Sequence, residues 1–145
     1  MKTFDQRIVA LMAYGINPER LESLAATIEK EDYKVVCLDF FSMTKKEVRE
    51  ETIRLSDILL SLVLDACDQR FAVDLSFVRG LGRPVLCMVD ENIGENALAR
   101  EVFDAYATPS RSWFVSYAEF SAVPALALRA LHEIRETCFA SLVAK

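Results

Sequence analysis

Asp65, Asp68 and Asp74 crowd the stretch DACDQRFAVD, where an apolar run, ILLSLVL, gives way to a helix-like segment. An acid near a helix N-terminus is stabilised by the helix dipole by about 0.3 to 1 kcal/mol, so capping accounts for one of them. It does not account for three. Paired carboxylates in a cleft divide the labour of glycosidic chemistry: one protonates the leaving group while the other attacks, or stabilises, the cationic sugar.

Other loops carry weaker signals. AYGINP, residues 13 to 18, has too little glycine for G-x-G-x-x-G, and no G-x-x-x-x-G-K-[ST] occurs anywhere, so the phosphate-cradling fingerprints are absent. Tyr14 and Asn17 would border any ligand cleft there. VDENIGENALAR gathers Asp90, Glu91, Glu95 and Asn96, acids that commonly do no more than cap the next helix. Asp39, after a second strand, suits a turn or a ribose hydroxyl. Ser110 and Ser112 stand in no G-x-S-x-G elbow. The only histidine is His132, and Cys37, Cys67, Cys87 and Cys138 form no C-x-x-C pair, which speaks against a structural zinc site and leaves no metal or cofactor implied.

The elements that must position these residues read off in order. RIVALMAY (7–14) is a continuous apolar run of the kind a strand covered on both faces requires. NPERLESLAATIEKEDY follows, with Asn17 as N-cap, Pro18 at the first helical position and Leu21, Leu24, Ala25 and Ile28 at helical spacing. YKVVCLDF is a second strand. SMTKKEVREETIRLSD predicts a charged helix that turns Val48, Thr52, Ile53 and Leu55 inward. ILLSLVLD is the third strand, RFAVDLSFVRGLG a helix stopped by Gly80 and Gly82, and RPVLCMVD the fourth strand, with Pro84 near its start. NALAREVFDAYA is a helix, RSWFVSY a fifth strand, and PALALRALHEIRETCFASLV a long closing helix.

This alternation predicts one domain, residues 1–145: a three-layer α/β/α, flavodoxin-like (Rossmann-like) fold with a five-stranded parallel sheet and right-handed crossovers. Such sheets bind ligands at the carboxyl ends of their strands, which selects the loops after strands one, three and four. A receiver-like domain shares the order but requires an acidic pair after strand one, and IVALMAYG supplies none.

At 145 residues the chain buries about two thirds of the surface its unfolded form exposes, enough for a single core. Hydrophobic residues are 52% and charged residues 27%, which excludes disorder, and no run reaches the roughly 20 apolar residues that span a bilayer. IVALMAY lacks a signal-peptide cleavage site, so the expected compartment is the cytoplasm, with reduced thiols. Seventeen Lys and Arg against 22 Asp and Glu leave a net charge of −5, which disfavours nucleic acid as a partner and favours a small molecule or a protein.

The succession EVREETIRLSDILLSLVL, DQRFAVDLSFVRGLGRPVL and NALAREVFDAY resembles the nucleoside 2-deoxyribosyltransferase family, with its relatives the nucleotide N-glycosidases and, more distantly, the TIR domains. The likeness covers residues 47 to 100. It rests on a helix ending in Ser-Asp (Ser56, Asp57) before strand three, a D-x-G-[ST]-x-x-E-x-G-like segment, and a G-K-P-V-like strand. The resemblance implies Asp74 as the nucleophile and Asp68 as the sugar-orienting acid. Tyr14, Asp65 and Arg70 would bind substrate, Arg70 meeting the phosphate of a nucleotide. Asn96 would complete the neighbouring subunit's site in a homo-oligomer. The implied chemistry is cleavage of an N-glycosidic bond or deoxyribosyl transfer, on a nucleoside or nucleotide, through a glycosyl-enzyme.

Four positions depart from the pattern. Arg70 and Phe71 replace the Gly and Ser or Thr, Ser76 replaces a glycine, and Asp74 replaces glutamate. The last change withdraws the carboxylate by about 1.5 Å, and a misplacement of about 1 Å can cost on the order of a hundredfold in rate. The alternative is therefore a catalytically reduced ligand-binding or protein-interaction module of the same fold.

Overall fold

The computed structural model describes residues 7–14, 18–38, 46–63, 69–92, 96–106 and 111–139. Five strands, β1 (Arg7–Tyr14), β2 (Tyr33–Leu38), β3 (Ile58–Val63), β4 (Val85–Asp90) and β5 (Ser112–Tyr117), alternate with α1 (Pro18–Glu29), α2 (Lys46–Arg54), α3 (Gln69–Leu81), α4 (Asn96–Tyr106) and α5 (Val123–Ile134). All pairings are parallel and the order is β2-β1-β3-β4-β5. The expected three-layer α/β arrangement is present.

The apolar runs become strands because both faces of the sheet are covered. Val9, Leu11, Ile58, Leu60, Leu62, Leu86 and Met88 face α1 and α5, whereas Ala10, Met12, Leu59, Val63, Val85, Cys87 and Val89 face α2, α3 and α4. The α1 stripe of Leu21, Leu24, Ala25 and Ile28 lies against the first layer as its spacing requires. Gly82 ends α3 at φ +71°, a left-handed position that only glycine adopts without strain.

One helix is rotated from its expected face. Of the residues expected inward, Ile53 is buried and Thr52 half-buried, but Val48 on α2 and Leu55 just beyond it are 47% and 65% exposed, while Arg49 and Ser56 are buried in their stead. Positions 49, 53 and 56 follow i, i+4, i+7 spacing and form one stripe; positions 48, 52 and 55 form the neighbouring one. The polar stripe packs inward because Arg49 finds a buried carboxylate on α3.

The closing helix changes its winding within the expected span, whose residues 140 to 143 lie outside the described residues. Regular α-helix stops at Ile134, and a π-helical turn follows over Arg135–Phe139. The wider turn leaves Cys138 and Phe139 against the first core layer, with the Arg7 guanidinium 4.3 Å from the Phe139 ring centroid.

The Ser-Asp pair before β3 fastens the amino edge of the sheet. Ser56 Oγ donates to the carbonyls of Thr52 and Ile53, both at 2.9 Å, and Arg83 donates to the carbonyls of Arg54 and Ser56. Asp57 and Ile8 exchange bonds: the Ile8 amide donates to Asp57 Oδ2 at 2.9 Å and the Asp57 amide donates to the Ile8 carbonyl at 2.8 Å.

Two predictions follow from these contacts. Asp57→Ala leaves the Ile8 amide without its acceptor and should cost about 1 to 3 kcal/mol in a denaturant titration, with Asp57→Asn, whose amide oxygen still accepts, losing less. Burial, with Glu29 and Glu22 nearby, pushes the Cys37 thiol from 9.0 up to about 11. Below pH 9 both states keep this proton; between 9 and 11 the unfolded chain releases it first, so the melting temperature should fall across that window and fall less in Cys37→Ala.

Candidate functional site

The strand order places the topological switch between β1 and β3. From β1 the chain leaves through α1 towards β2, and from β3 it leaves through α3 towards β4, so the crevice opens at the carboxyl ends of these strands. Tyr14, Val63, Asp90 and Tyr117 close β1, β3, β4 and β5 on this edge.

Of the site residues expected from the sequence, Asp65 and Asp68 lie outside the described residues, as do Asn17, Asp39, Glu95 and Ser110. Tyr14 is the last residue of β1, Arg70 the second of α3 and Asn96 the first of α4, so their backbones share the carboxyl edge. Their side chains lie outside the description.

Asp74 is fully described. It stands in the second turn of α3 with 0% exposure, and its Oδ1 accepts from Arg49 Nε at 3.0 Å; the Arg49 side chain is itself only 6% exposed. Attack on an anomeric carbon requires a carboxylate oxygen to approach the sugar directly. Here the carboxylate is enclosed between α2 and α3, with one oxygen held by a guanidinium. Arg54, lying 5.5 Å over the Phe77 ring, adds a second contact between the same helices.

Asp90 also has a local task. Its Oδ1 accepts from the Asn92 amide at 2.9 Å, and Asn92 Nδ2 donates to the Ala118 carbonyl at 2.7 Å. The Glu91 amide donates to the Tyr117 carbonyl at 2.9 Å. This is an Asx-turn that ties the end of β4 to the end of β5.

The structure adds residues that sequence reasoning passed over. Tyr117, 2% exposed, closes β5, and its hydroxyl has no hydrogen-bond partner among the described residues. Burial pushes the phenol pKa up, with Asp90 adding to the rise and Arg20 opposing it. Phe120 meets the Tyr117 ring edge-on at 6.2 Å, and the Arg20 guanidinium lies 4.9 Å from the Phe120 centroid. Arg49 was legible as a member of the 49/53/56 stripe, a signal outweighed by its charge. His132, by contrast, is exposed on α5, with Nε2 3.8 Å from Glu136. Among the described residues no group of three His, Cys, Asp or Glu is arranged to hold a metal ion.

No family model matches the chain, and no curated protein matches it in sequence. Solved structures do match in shape. A CMP N-glycosidase, BcmB, from Clostridium botulinum superposes with a TM-score of 0.58 at 13% identity, covering 85% of this chain and 98% of that one. The sugar isomerase domain of an RpiR transcription factor from Sphaerobacter thermophilus gives 0.53 at 13% identity, covering 92% and 72%. A response regulator from Burkholderia multivorans gives 0.50 at 18% identity, covering 87% and 96%. At these identities the likeness establishes the fold: a Rossmann-like, three-layer α/β domain of the shape that a nucleotide N-glycosidase uses.

The enclosed pair generates a double-mutant prediction. Arg49→Met or Asp74→Asn alone strands a buried charge or donor and should cost about 3 to 5 kcal/mol, whereas Arg49→Met with Asp74→Leu should recover most of that loss. Denaturant titrations of the singles and the double measure the coupling.

Proposed function

We propose that this chain is a nucleotide-handling protein of the N-glycosidase fold, binding a nucleoside or nucleotide at the carboxyl ends of β1, β3 and β4, with Asp74 serving the structure in place of the chemistry. The observation that carries the second half is the Asp74 carboxylate, 0% exposed and paired to Arg49. The first half is supported by the crevice at the strand-order switch and by the shape shared with the CMP N-glycosidase over 98% of that chain. Asp65, Asp68, Tyr14 and Arg70 belong to the binding edge in this reading, and Asn96 serves a neighbouring copy in a cytoplasmic homo-oligomer. The receiver reading fits less well, because Met12 to Pro18 contain no acid after strand one.

A second reading keeps the enzyme. The same shared shape favours cleavage of an N-glycosidic bond, with Asp68 or Asp74 as the active carboxylate.

One experiment separates the two. The purified protein is incubated with CMP, AMP, cytidine, deoxyadenosine and NAD, with binding read by calorimetry and freed base by chromatography. Binding without base release is the expected result. Base release that is lost in Asp74→Asn while that variant stays folded by circular dichroism and still binds the ligand would restore Asp74 as the nucleophile; release that survives Asp74→Asn would move the chemistry to another carboxylate. Neither binding nor release would remove the nucleotide reading.

A further inference from the structure

A buried polar atom without a partner gives up its hydration with nothing in return, and folded proteins carry few of them. Among the described residues the unpartnered side-chain atoms are Arg7 Nε, Ser61 Oγ and Tyr117 Oη. Arg7 is placed by its stacking on Phe139, at the amino end of β1. Ser61 lies mid-strand between Met12 and Cys87, far from either edge of the sheet. Tyr117 alone stands at a carboxyl strand end, on the edge where a sheet of this order takes its ligand.

Its surroundings are specific. Tyr117, Phe120 and Arg20 pass from buried through half-buried to exposed, the Phe120 ring edge-on to Tyr117 at 6.2 Å and the Arg20 guanidinium 4.9 Å from the Phe120 centroid. Arg20 belongs to the first turn of α1, the positive end of the helix dipole. No carboxylate among the described residues forms an ion pair with it. Acids border the place as well: Glu19 beside Arg20 on α1, Asp90, whose Oδ1 is taken by the Asn92 amide, Glu91, whose amide donates to the Tyr117 carbonyl, and the exposed Glu119 next to Phe120. A stacking contact of an exposed guanidinium is weak, so turning it from the ring to an anion is inexpensive. The place therefore offers a neutral O–H donor and a cation, with no acceptor of its own engaged by either. An oxyanion complements both, and a phosphate meets the planar guanidinium with two oxygens.

We propose that Tyr117 and Arg20 form a phosphate-recognising pair, the Tyr117 hydroxyl donating to one phosphate oxygen while Arg20 leaves Phe120 to face the others. This rests on the nucleotide reading above and names how the phosphate of that ligand is held. It also gives the unpartnered hydroxyl its partner.

The test compares wild type, Tyr117→Phe and Arg20→Met, using calorimetry with CMP, cytidine and inorganic phosphate, and thermal unfolding without ligand. Tyr117→Phe keeps the ring and deletes only the unpartnered hydroxyl, so ligand-free stability should hold or rise. Affinity for CMP should fall about tenfold or more in either variant, with cytidine affinity unchanged and with a weaker salt dependence in Arg20→Met. A clear loss of ligand-free stability in Tyr117→Phe would mean that the hydroxyl serves the fold, and would overturn the proposal whatever binds. CMP affinity unchanged in both variants would overturn it while leaving the nucleotide reading intact, as would equal losses for CMP and cytidine. Wild-type protein that binds none of the three probes would remove the nucleotide reading and this proposal together.

Discussion

Taking a guanidinium and a carboxylate out of water costs several kcal/mol for each ion, and a buried pair stands only when both are brought to hydrogen-bonding distance at once. Arg49 and Asp74 meet that condition at 3.0 Å between two helices that cover the same face of the sheet. The pair decides which way α2 faces. With Arg49 inward, Ile53 and Ser56 follow it into the core, and Val48 and Leu55 are left on the surface. It also bears on the seat of α3, where Leu75 and Val78 pack on the sheet while the Asp74 carboxylate reaches Arg49 on α2. Removing the charge from one partner leaves the other with nowhere to hydrate.

The two edges of the sheet divide the work. At the amino edge Ser56, Asp57 and Arg83 satisfy the end of α2 and the start of β1 with closed hydrogen bonds. At the carboxyl edge Asp90 is used in a turn, while the Tyr117 hydroxyl has no partner among the described residues. The Ser-Asp signature, which in the sequence reads as part of a catalytic pattern, sits at the anchoring end.

The layers and the element order were legible because their signals are repetitive. ILLSLV has no polar position but Ser61, and it is buried throughout; the Leu21, Leu24, Ala25 and Ile28 stripe has one period and one answer. The face of α2 was not legible, since two stripes compete in KEVREETIR and the apolar one loses to a charge neutralised by a residue 25 positions away. Asp74 stood out in the sequence as an acid on a helix near a strand end, but nothing in its neighbours along the chain says that a guanidinium will enclose it. Tyr117 reads as one more aromatic in a strand. Its significance lies in what fails to reach its hydroxyl, a property of strands and helices brought together only by folding.

The position of β1 between β2 and β3 has a consequence for how the chain acquires this structure. Parallel neighbours cannot be joined by a hairpin, so each pairing waits for a whole crossover. The bond from the Ile8 amide to Asp57 spans 49 residues, and pairings so distant along the chain slow folding. At about 5 to 20 residues per second of synthesis, β1 spends roughly 1 to 5 seconds with one edge open after β2 is made and before β3 is complete. During that interval RIVALMAY is an uncovered apolar edge, and the nascent chain depends on its surroundings to keep it from pairing with another copy.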